Sequence, residues 1–332
     1  MQTPSIETTL APKQALRWPD RNRIALVAVI LMAVLLPFSV SDYRVFQFSM
    51  VVSNAIALLG LNLLTGYNGQ ISLGHGAFYA IGAYTTAILC EHFGVAYYVT
   101  IPVAGVICLV FGFLFGLPAL RLEGMYLALA TFALGVALPQ ILKYKGIETW
   151  TGGVQGITLV KPDAPFGLPL SPDQWLYLFS LLIMLGLFWA AHNLIHSHTG
   201  RVLIAIRDNP LAAAAMGIDT ARYKSFTFGV SAMYTGIAGS LTALCVQFVA
   251  PDSFGSLVST GFLVGIVVGG LASISGAIYG AMFIQFVPNF ADQISKAAPW
   301  ALYGAVLITF VYLLPTGIAG FVRQCLAKLR HT

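Results

Sequence analysis

Residues 45–90 read VFQFSMVVSNAIALLGLNLLTGYNGQISLGHGAFYAIGAYTTAILC, 46 positions without an Asp, Glu, Lys or Arg. A helix crosses the hydrocarbon core of a bilayer with about 20 apolar residues, so a run of this length holds two crossings and a turn. The turn falls at Gly66-Tyr67-Asn68-Gly69, where small and turn-forming residues interrupt the apolar pattern. A break between two helices, lodged in apolar surroundings, marks a polytopic membrane protein and not a water-soluble domain.

Cutting the rest of the chain at every charged residue leaves seven further long intervals: Ile24 to Ser41, His92 to Leu120, Gly124 to Leu142, Gln174 to Gly200, Ser225 to Pro251, Ser253 to Ala291 and Ala297 to Val322. The interval from Ser253, 39 residues long, holds a second double crossing broken at Ser273 to Gly276. The expected fold is all-α and polytopic, with about ten spans beginning near Ile24, Phe46, Ile71, Ile101, Tyr126, Trp175, Phe226, Leu257, Ala277 and Trp300. The ninth span, ending near Pro288, reads as short, and a count of eight follows if the second half of each long interval re-enters. Composition agrees: of 332 residues 58% are hydrophobic and 9% charged, with a mean hydropathy of +0.83. A soluble chain of this length needs about a quarter of its residues charged.

Lys and Arg near spans concentrate on the cytoplasmic side. With the N-terminus inside, the inner segments hold Lys13, Arg17, Arg21, Arg23, Arg121, Arg201, Arg207, Arg222, Lys224, Arg323, Lys328 and Arg330, twelve of the seventeen. Arg44, Lys143, Lys145, Lys161 and Lys296 fall outside. Both termini are therefore expected in the cytoplasm, and the net charge of +5 marks orientation, not a nucleic-acid partner. The organisation that follows is an inner tail over 1–23, a transmembrane body over 24–322 and an inner tail over 323–332. The apolar run from Ile24 follows a polar tail of 23 residues and lacks a small-residue cleavage site, so it reads as a retained first span.

Two connections exceed a turn. Residues 143–173, placed outside, carry Gly152, Gly153, Gly156 and several prolines and read as an ordered cap. Residues 196–224, placed inside, contain a short helix: Asn209 suits the N-cap, Pro210 the first helical position, Leu211 to Met216 propagate it, and Gly217 supplies a left-handed stop. A helix of two turns is marginal alone in water. Its alanine-rich face is expected to dock on a partner, with Arg201, Arg207, Asp208 and Asp219 at the rim.

Absences narrow the function. No GxxxxGK[ST] loop occurs, so a nucleotide that drives this chain binds another subunit. The spans carry no Asp, Glu, Lys or Arg, which disfavours proton coupling and intramembrane catalysis, since ionisable groups are kept there for function. His192, His196 and His198 lack further ligands for a metal site, and Cys90, Cys108, Cys245 and Cys325 lack CxxC spacing. Among the polar residues in apolar surroundings, Gln70, Ser72, Gly74, His75 and Gly76 cluster just after the first break. They are expected to line a translocation path or the helix contact beside it. Gly76-Ala77-Phe78-Tyr79 has a faint echo in Gly276-Ala277-Ile278-Tyr279.

The run Leu63-Leu64-Thr65-Gly66-Tyr67-Asn68-Gly69-Gln70-Ile71-Ser72-Leu73-Gly74-His75-Gly76-Ala77-Phe78, continued by Ile81-Gly82-Ala83-Tyr84, resembles the signature of the branched-chain amino acid permeases of ATP-binding cassette importers. Leu120-Arg121-Leu122-Glu123-Gly124-Met125-Tyr126-Leu127-Ala128 resembles the LivM branch of that family. The loop Gly200-Arg201-Val202-Leu203-Ile204-Ala205-Ile206-Arg207-Asp208-Asn209-Pro210, with Ala212-Ala213 and Gly217-Ile218-Asp219, is similar to its cytoplasmic EAA loop. Thr151-Gly152-Gly153 with Gly156, Gly236-Ile237-Ala238-Gly239, Gly269-Gly270-Leu271 and Pro315-Thr316-Gly317 are similar to further family positions. One departure is Leu211, which occupies the glutamate position of the general EAA pattern.

The resemblance implies a non-catalytic transport subunit in a bacterial inner membrane. It implies a second permease subunit of the LivH type, two ATPase subunits that bind the ATP and Mg, and an extracytoplasmic solute-binding protein. Arg207, Asp208, Asn209, Pro210, Ala212, Ala213 and Gly217 would form the coupling helix and its approach. No cofactor is expected in this chain, and membrane lipid is its solvent. The competing reading is a stand-alone sodium-coupled carrier. The substrates of relatives include branched-chain amino acids, urea, short amides and aromatic acids.

Overall fold

The computed structural model describes residues 20–119, 122, 124–167, 169–294 and 299–331. In chain order the helices are α1 (Asp20–Leu35), α2 (Asp42–Asn62), α3 (His75–Phe93), α4 (Tyr97–Ala119), α5 (Met125–Leu142) and the single turn α6 (Glu148–Thr151). After β1 (Ile157–Thr158) come α7 (Pro172–His196), α8 (His198–Asp208), α9 (Pro210–Ala215) and α10 (Thr220–Val246). Then follow β2 (Phe248–Val249), α11 (Ser256–Gly269), α12 (Ile274–Ile294), α13 (Pro299–Leu313) and α14 (Gly317–His331).

Each of the ten expected stretches is helical. Among the described residues, seven helices are long and apolar enough to cross a membrane: Asp42–Tyr67, Tyr97–Pro118, Met125–Leu142, Pro172–His196, Thr220–Val246, Pro251–Gly269 and Ile274–Gln293. α1 and α13 are shorter, at 16 and 15 residues. α3 is long enough but carries His75, Thr85, Thr86, Glu91 and His92, and its polar groups His75 and Thr86 are buried inside the bundle.

Three boundaries differ from the charge-gap reading. The ninth span is not short, because α12 runs through Pro288, with Asn289 Nδ2 donating to the Gln285 carbonyl oxygen at 2.7 Å beside the disrupted turn. The last interval is not one helix. Pro315, which has no N–H to donate, and Gly317 at φ +71° separate α13 from α14, so the boundary drawn at residue 322 falls inside α14. The connection over 196–224 is mostly helical, since α8 precedes the expected short helix. Of the inner N-terminal tail, residues 1–19 lie outside the described residues.

α10 is the axis of the packing. It is buried along most of its length and lies against α2, α3 and α4. Small residues let these backbones approach, as membrane helices without a hydrophobic driving force require. Gly82 of α3 meets Gly236 of α10, Gly239 meets the Tyr79 backbone, and Gly60 of α2 fits against Tyr234 and Ser231. A hydroxyl seam runs along the same contact: Tyr79 with Thr242, Thr86 with Ser240, and Ser231 Oγ donating to the Gly60 carbonyl at 2.6 Å. The outward faces are apolar, with Val106, Phe111, Leu129, Leu182 and Trp189 exposed.

The connections sort into two ends. At one, β1 pairs antiparallel with β2, Ile157 opposite Val249. There Lys143 pairs with Asp252, Ser171 caps α7 in a capping box with Gln174, and Gln174 Nε2 donates to the Pro37 carbonyl at 3.1 Å. The segment over 143–173 is thus folded onto its neighbours. Its glycines serve the turns: Gly152, Gly153 and Gly156 all have positive φ, between 55° and 75°, where a Cβ is strained. The α3–α4 break joins this end, where His92 and Phe93 stack on Trp150, and the opposite end gathers the α2–α3 and α11–α12 breaks with α8 and α9.

Candidate functional site

The short helix is built as its sequence punctuation demands. Asn209 Oδ1 accepts from the Ala212 N–H at 3.0 Å, and Pro210 opens α9. At the other end Gly217, at φ +82°, donates to the Ala214 carbonyl at 2.9 Å and Ile218 to the Ala213 carbonyl at 3.1 Å. Those two bonds make a Schellman motif, whose accompanying apolar contact is present as Ile218 beside Ala213.

α9 leans on its own chain. Ala213, 4% exposed, packs on Val202 and Ile206 of α8. The sequence places Ala213 on the docking face; the structure turns it inward, and the outward apolar residues are Leu211 and Met216, 82% and 83% exposed. Ala212 and Gly217 are exposed with them. α8 itself has a legible signal that the charge-gap reading passes over: Val202, Leu203 and Ile206 at i, i+1 and i+4 are buried, while Arg201, Ala205, Arg207 and Asp208 face out.

Arg207 ties α8 to the first helix break. Its Nη1 donates to the Gly66 carbonyl at 3.0 Å, its Nε to Asp208 Oδ1 at 3.0 Å, and its Nη2 lies 2.9 Å from the same carboxylate oxygen. Gly66 lies in a π-helical turn, Leu63–Tyr67, that ends α2; such turns recur at functional sites. A second break meets it there. Asn62, fully buried, accepts from the Ala272 N–H at 2.9 Å and donates to the Ser273 carbonyl at 2.8 Å. Ala272 has φ +54°, a conformation that non-glycine residues rarely hold, and Asn62 holds it. Gly317 abuts Gly270 at the same place.

Gln70, Ser72, Gly74, His75 and Gly76 form the junction between this end and the core, and all are buried. Thr65 Oγ1 donates to the Gln70 carbonyl at 3.0 Å. Thr131 Oγ1 of α5 accepts from the Leu73 N–H at 3.0 Å, and Ser259 Oγ of α11 accepts from the Gly76 N–H at 2.9 Å. Gly74 sits against the Thr131 backbone, leaving no room for a Cβ. The His75 tautomer follows from its neighbours. Ser231 donates to Gly60, so its oxygen accepts from His75 Nε2–H at 2.7 Å; Nδ1 then accepts from Ser72 Oγ at 2.9 Å, and Ser72 Oγ in turn lies 3.4 Å from the Gly74 N–H.

These contacts make the cluster a helix contact, with Ser231, Thr131 and Ser259 as partners that no local pattern exposes. Ser231→Ala is expected to leave His75 Nε2–H unsatisfied, lowering stability by about 1–3 kcal/mol. His75→Gln, whose amide can donate to Ser231, is expected to lose less. Thermal unfolding of the purified complex ranks the two, and equal midpoints with the unmodified protein would contradict the network.

Among the described residues no group of His, Cys, Asp and Glu is arranged to hold a metal; the His192 and His196 rings lie 4.0 Å apart on α7 without a third ligand. All four cysteines are free thiols.

Residues 45–313 match the family model "Branched-chain amino acid transport system / permease component". The high-affinity branched-chain amino acid transport system permease protein LivM of Escherichia coli (strain K12) is 31% identical over 94% of this chain and 78% of its own length. The chain belongs to this permease family. A probable branched-chain amino acid transport permease protein LivH of Methanocaldococcus jannaschii is 25% identical over 91% of the chain and all of its own length. A solved structure described as an inward-facing metal-chelate type ABC transporter aligns at a TM-score of 0.45 and 16% identity, covering 89% of the permease and 98% of that chain. Four of the family blocks quoted from the sequence, Gly66 to Gly76, Arg207 to Gly217, Gly269-Gly270 and Pro315-Thr316-Gly317, occupy one end, whereas Gly152, Gly153 and Gly156 lie beside the β1–β2 ribbon at the other.

Proposed function

We propose that the permease is the transmembrane subunit of an ATP-driven importer for branched-chain amino acids or close chemical relatives. In this reading it pairs with a LivH-type subunit, receives substrate from an extracytoplasmic binding protein and rests on two ATPase subunits in a bacterial inner membrane. Ten helices cross, both termini face the cytoplasm, and the end carrying α8 and α9 faces the ATPases. The observation that carries the reading is α9: a fully capped six-residue helix, propped on α8, with Leu211 and Met216 standing in solvent. Exposed large apolar side chains at a helix that cannot stand alone in water suit a docking surface.

Coupling would run from α9 through Arg207 to Gly66 and the α2–α3 break, and thence to α10 through His75 and Ser231. Rigid-body transmission of this kind needs packed elements with discrete arrangements, and the buried polar clasp supplies them. No observation favours a sodium-coupled carrier. Expression with the neighbouring transport genes tests the assignment. A stable complex with ATPase and second permease subunits, and ATP-dependent uptake of leucine, isoleucine or valine, is the expected result; a monomer with ion-driven uptake would refute it.

A further inference from the structure

The first turns of α2 and the last turns of α12 enclose a cavity of about 590 Å³, within the ~300–1,000 Å³ of small-molecule sites. Phe48 and Phe286 join the two helices there, their rings meeting edge to face at 5.7 Å. Both helices are long and apolar enough to cross a bilayer, and both stop at this end. The cavity therefore lies at the depth of the lipid headgroups.

Its lining is divided as an amphiphile is. Arg44 and Asp292 bring a cation and an anion, and Tyr43, Phe48, Phe286 and Phe290 supply the wall. Tyr43 and Phe290 are 68% and 60% exposed, as suits the aromatic belts that sit at headgroup level. Arg44 and Asp292 line one space, yet they do not pair with each other, and neither has an ion-pair partner among the described residues. Two opposite charges held apart in one cavity are matched by a ligand that carries both, through charge-assisted hydrogen bonds.

We propose that this cavity binds a phospholipid whose headgroup joins a phosphate to a primary ammonium, as in phosphatidylethanolamine. The phosphate meets Arg44, the ammonium donates to the Asp292 carboxylate, and the first acyl segments lie along the phenylalanine rings. An anionic headgroup without an amine would leave Asp292 facing a like charge, and a quaternary ammonium has no N–H to donate. The bound lipid touches α2 and α12 together, helices that also meet deeper in the bundle, where Asn54 Nδ2 donates to Gln285 Oε1 at 3.5 Å. At their far ends the same pair carries the two helix breaks that Asn62 joins. The lipid thus braces this pair from the side opposite the breaks. This assignment is independent of which solute the permease carries.

The test follows the thermal midpoint of the purified, delipidated full-length permease during titration with dioctanoyl phosphatidylethanolamine, phosphatidylcholine or phosphatidylglycerol. A ligand of the folded state raises the midpoint by mass action. Phosphatidylethanolamine is expected to raise it saturably, and the other two far less. Arg44→Gln and Asp292→Asn are each expected to raise the half-saturating concentration about tenfold, as loss of one charged hydrogen bond implies. Asp292→Glu, which keeps the carboxylate, and Lys145→Gln, at the same end but outside the cavity, are expected to titrate like the unmodified protein. Both altered side chains are exposed, so the variants are expected to fold. The N-monomethyl and N,N-dimethyl lipids test the ammonium without any variant, and their effect is expected to fall as N–H groups are replaced.

An equal response to phosphatidylcholine or phosphatidylglycerol would overturn the assignment, as would variants that titrate like the unmodified protein. Displacement of the lipid by free leucine, which carries both charges without acyl chains, would make the cavity a solute site and overturn it as well.

Discussion

Gly82→Val is expected to prevent the permease from accumulating as a folded, monodisperse protein. A Cβ on Gly82 would lie inside contact distance of the Gly236 carbonyl and 2.6 Å from its Cα, and both sides of that contact are helix backbone. Overpacking against movable side chains costs about 1–3 kcal/mol; here neither partner has a rotamer to change, so the cost is at least about 3 kcal/mol. Because α10 is the helix on which α2, α3 and α4 converge, separating it from α3 also disturbs Tyr79–Thr242 and Thr86–Ser240. Gly186→Val on α7 is the control, since a Cβ there meets nothing within 4 Å. Detergent extraction followed by size-exclusion profiles reads the difference. Similar profiles for the two variants would show that the α3–α10 approach is not close in the folded protein.

Leu211→Glu combined with Met216→Glu is expected to leave the permease folded and in the membrane while ATP-driven uptake falls more than tenfold, as loss of a docking anchor of about 2 kcal/mol or more implies. Both side chains are exposed, so the charges meet water until a partner arrives. The partner must then desolvate them. Co-purified ATPase should fall in parallel. Ala213→Leu separates docking from internal support, because Ala213 is buried on α8; its expected effect is a lower thermal midpoint of the permease itself. Uptake within twofold of normal in the double variant would remove α9 from the docking surface.

What could be read in advance depended on the range of the physics involved. α9 was legible residue by residue, since Asn209, Pro210 and Gly217 act through bonds to their own turn. That each long charge-free run must break was legible because a run longer than a bilayer must turn, but the second break lies at 270–273, ahead of the Ser273 to Gly276 position expected, since Ile274 already opens α12. Pro315 and Pro288 were not decidable by charge gaps, which are blind to a helix that stops or continues within an apolar run. The junction was legible only as a cluster: His75 and Ser231 are 156 positions apart, and Arg207 and Gly66 141. No local rule joins such pairs. Ala213 was assigned the wrong face because alanine content marks a helix and not which side of it is covered.

The position of α10 in the chain bears on how the protein is made. The surfaces of α2, α3 and α4 that carry Gly60, Gly82 and Gly112 are complementary to a helix that begins at residue 220. The two-stranded ribbon likewise joins Ile157 to Val249, 92 positions apart. The early helices must therefore enter the bilayer and wait, their hydroxyls and small-residue grooves unmatched, until much of the chain has left the ribosome. Nascent chains halted before Thr220 should be inserted yet loosely assembled, and they are the species that membrane quality-control proteases would meet.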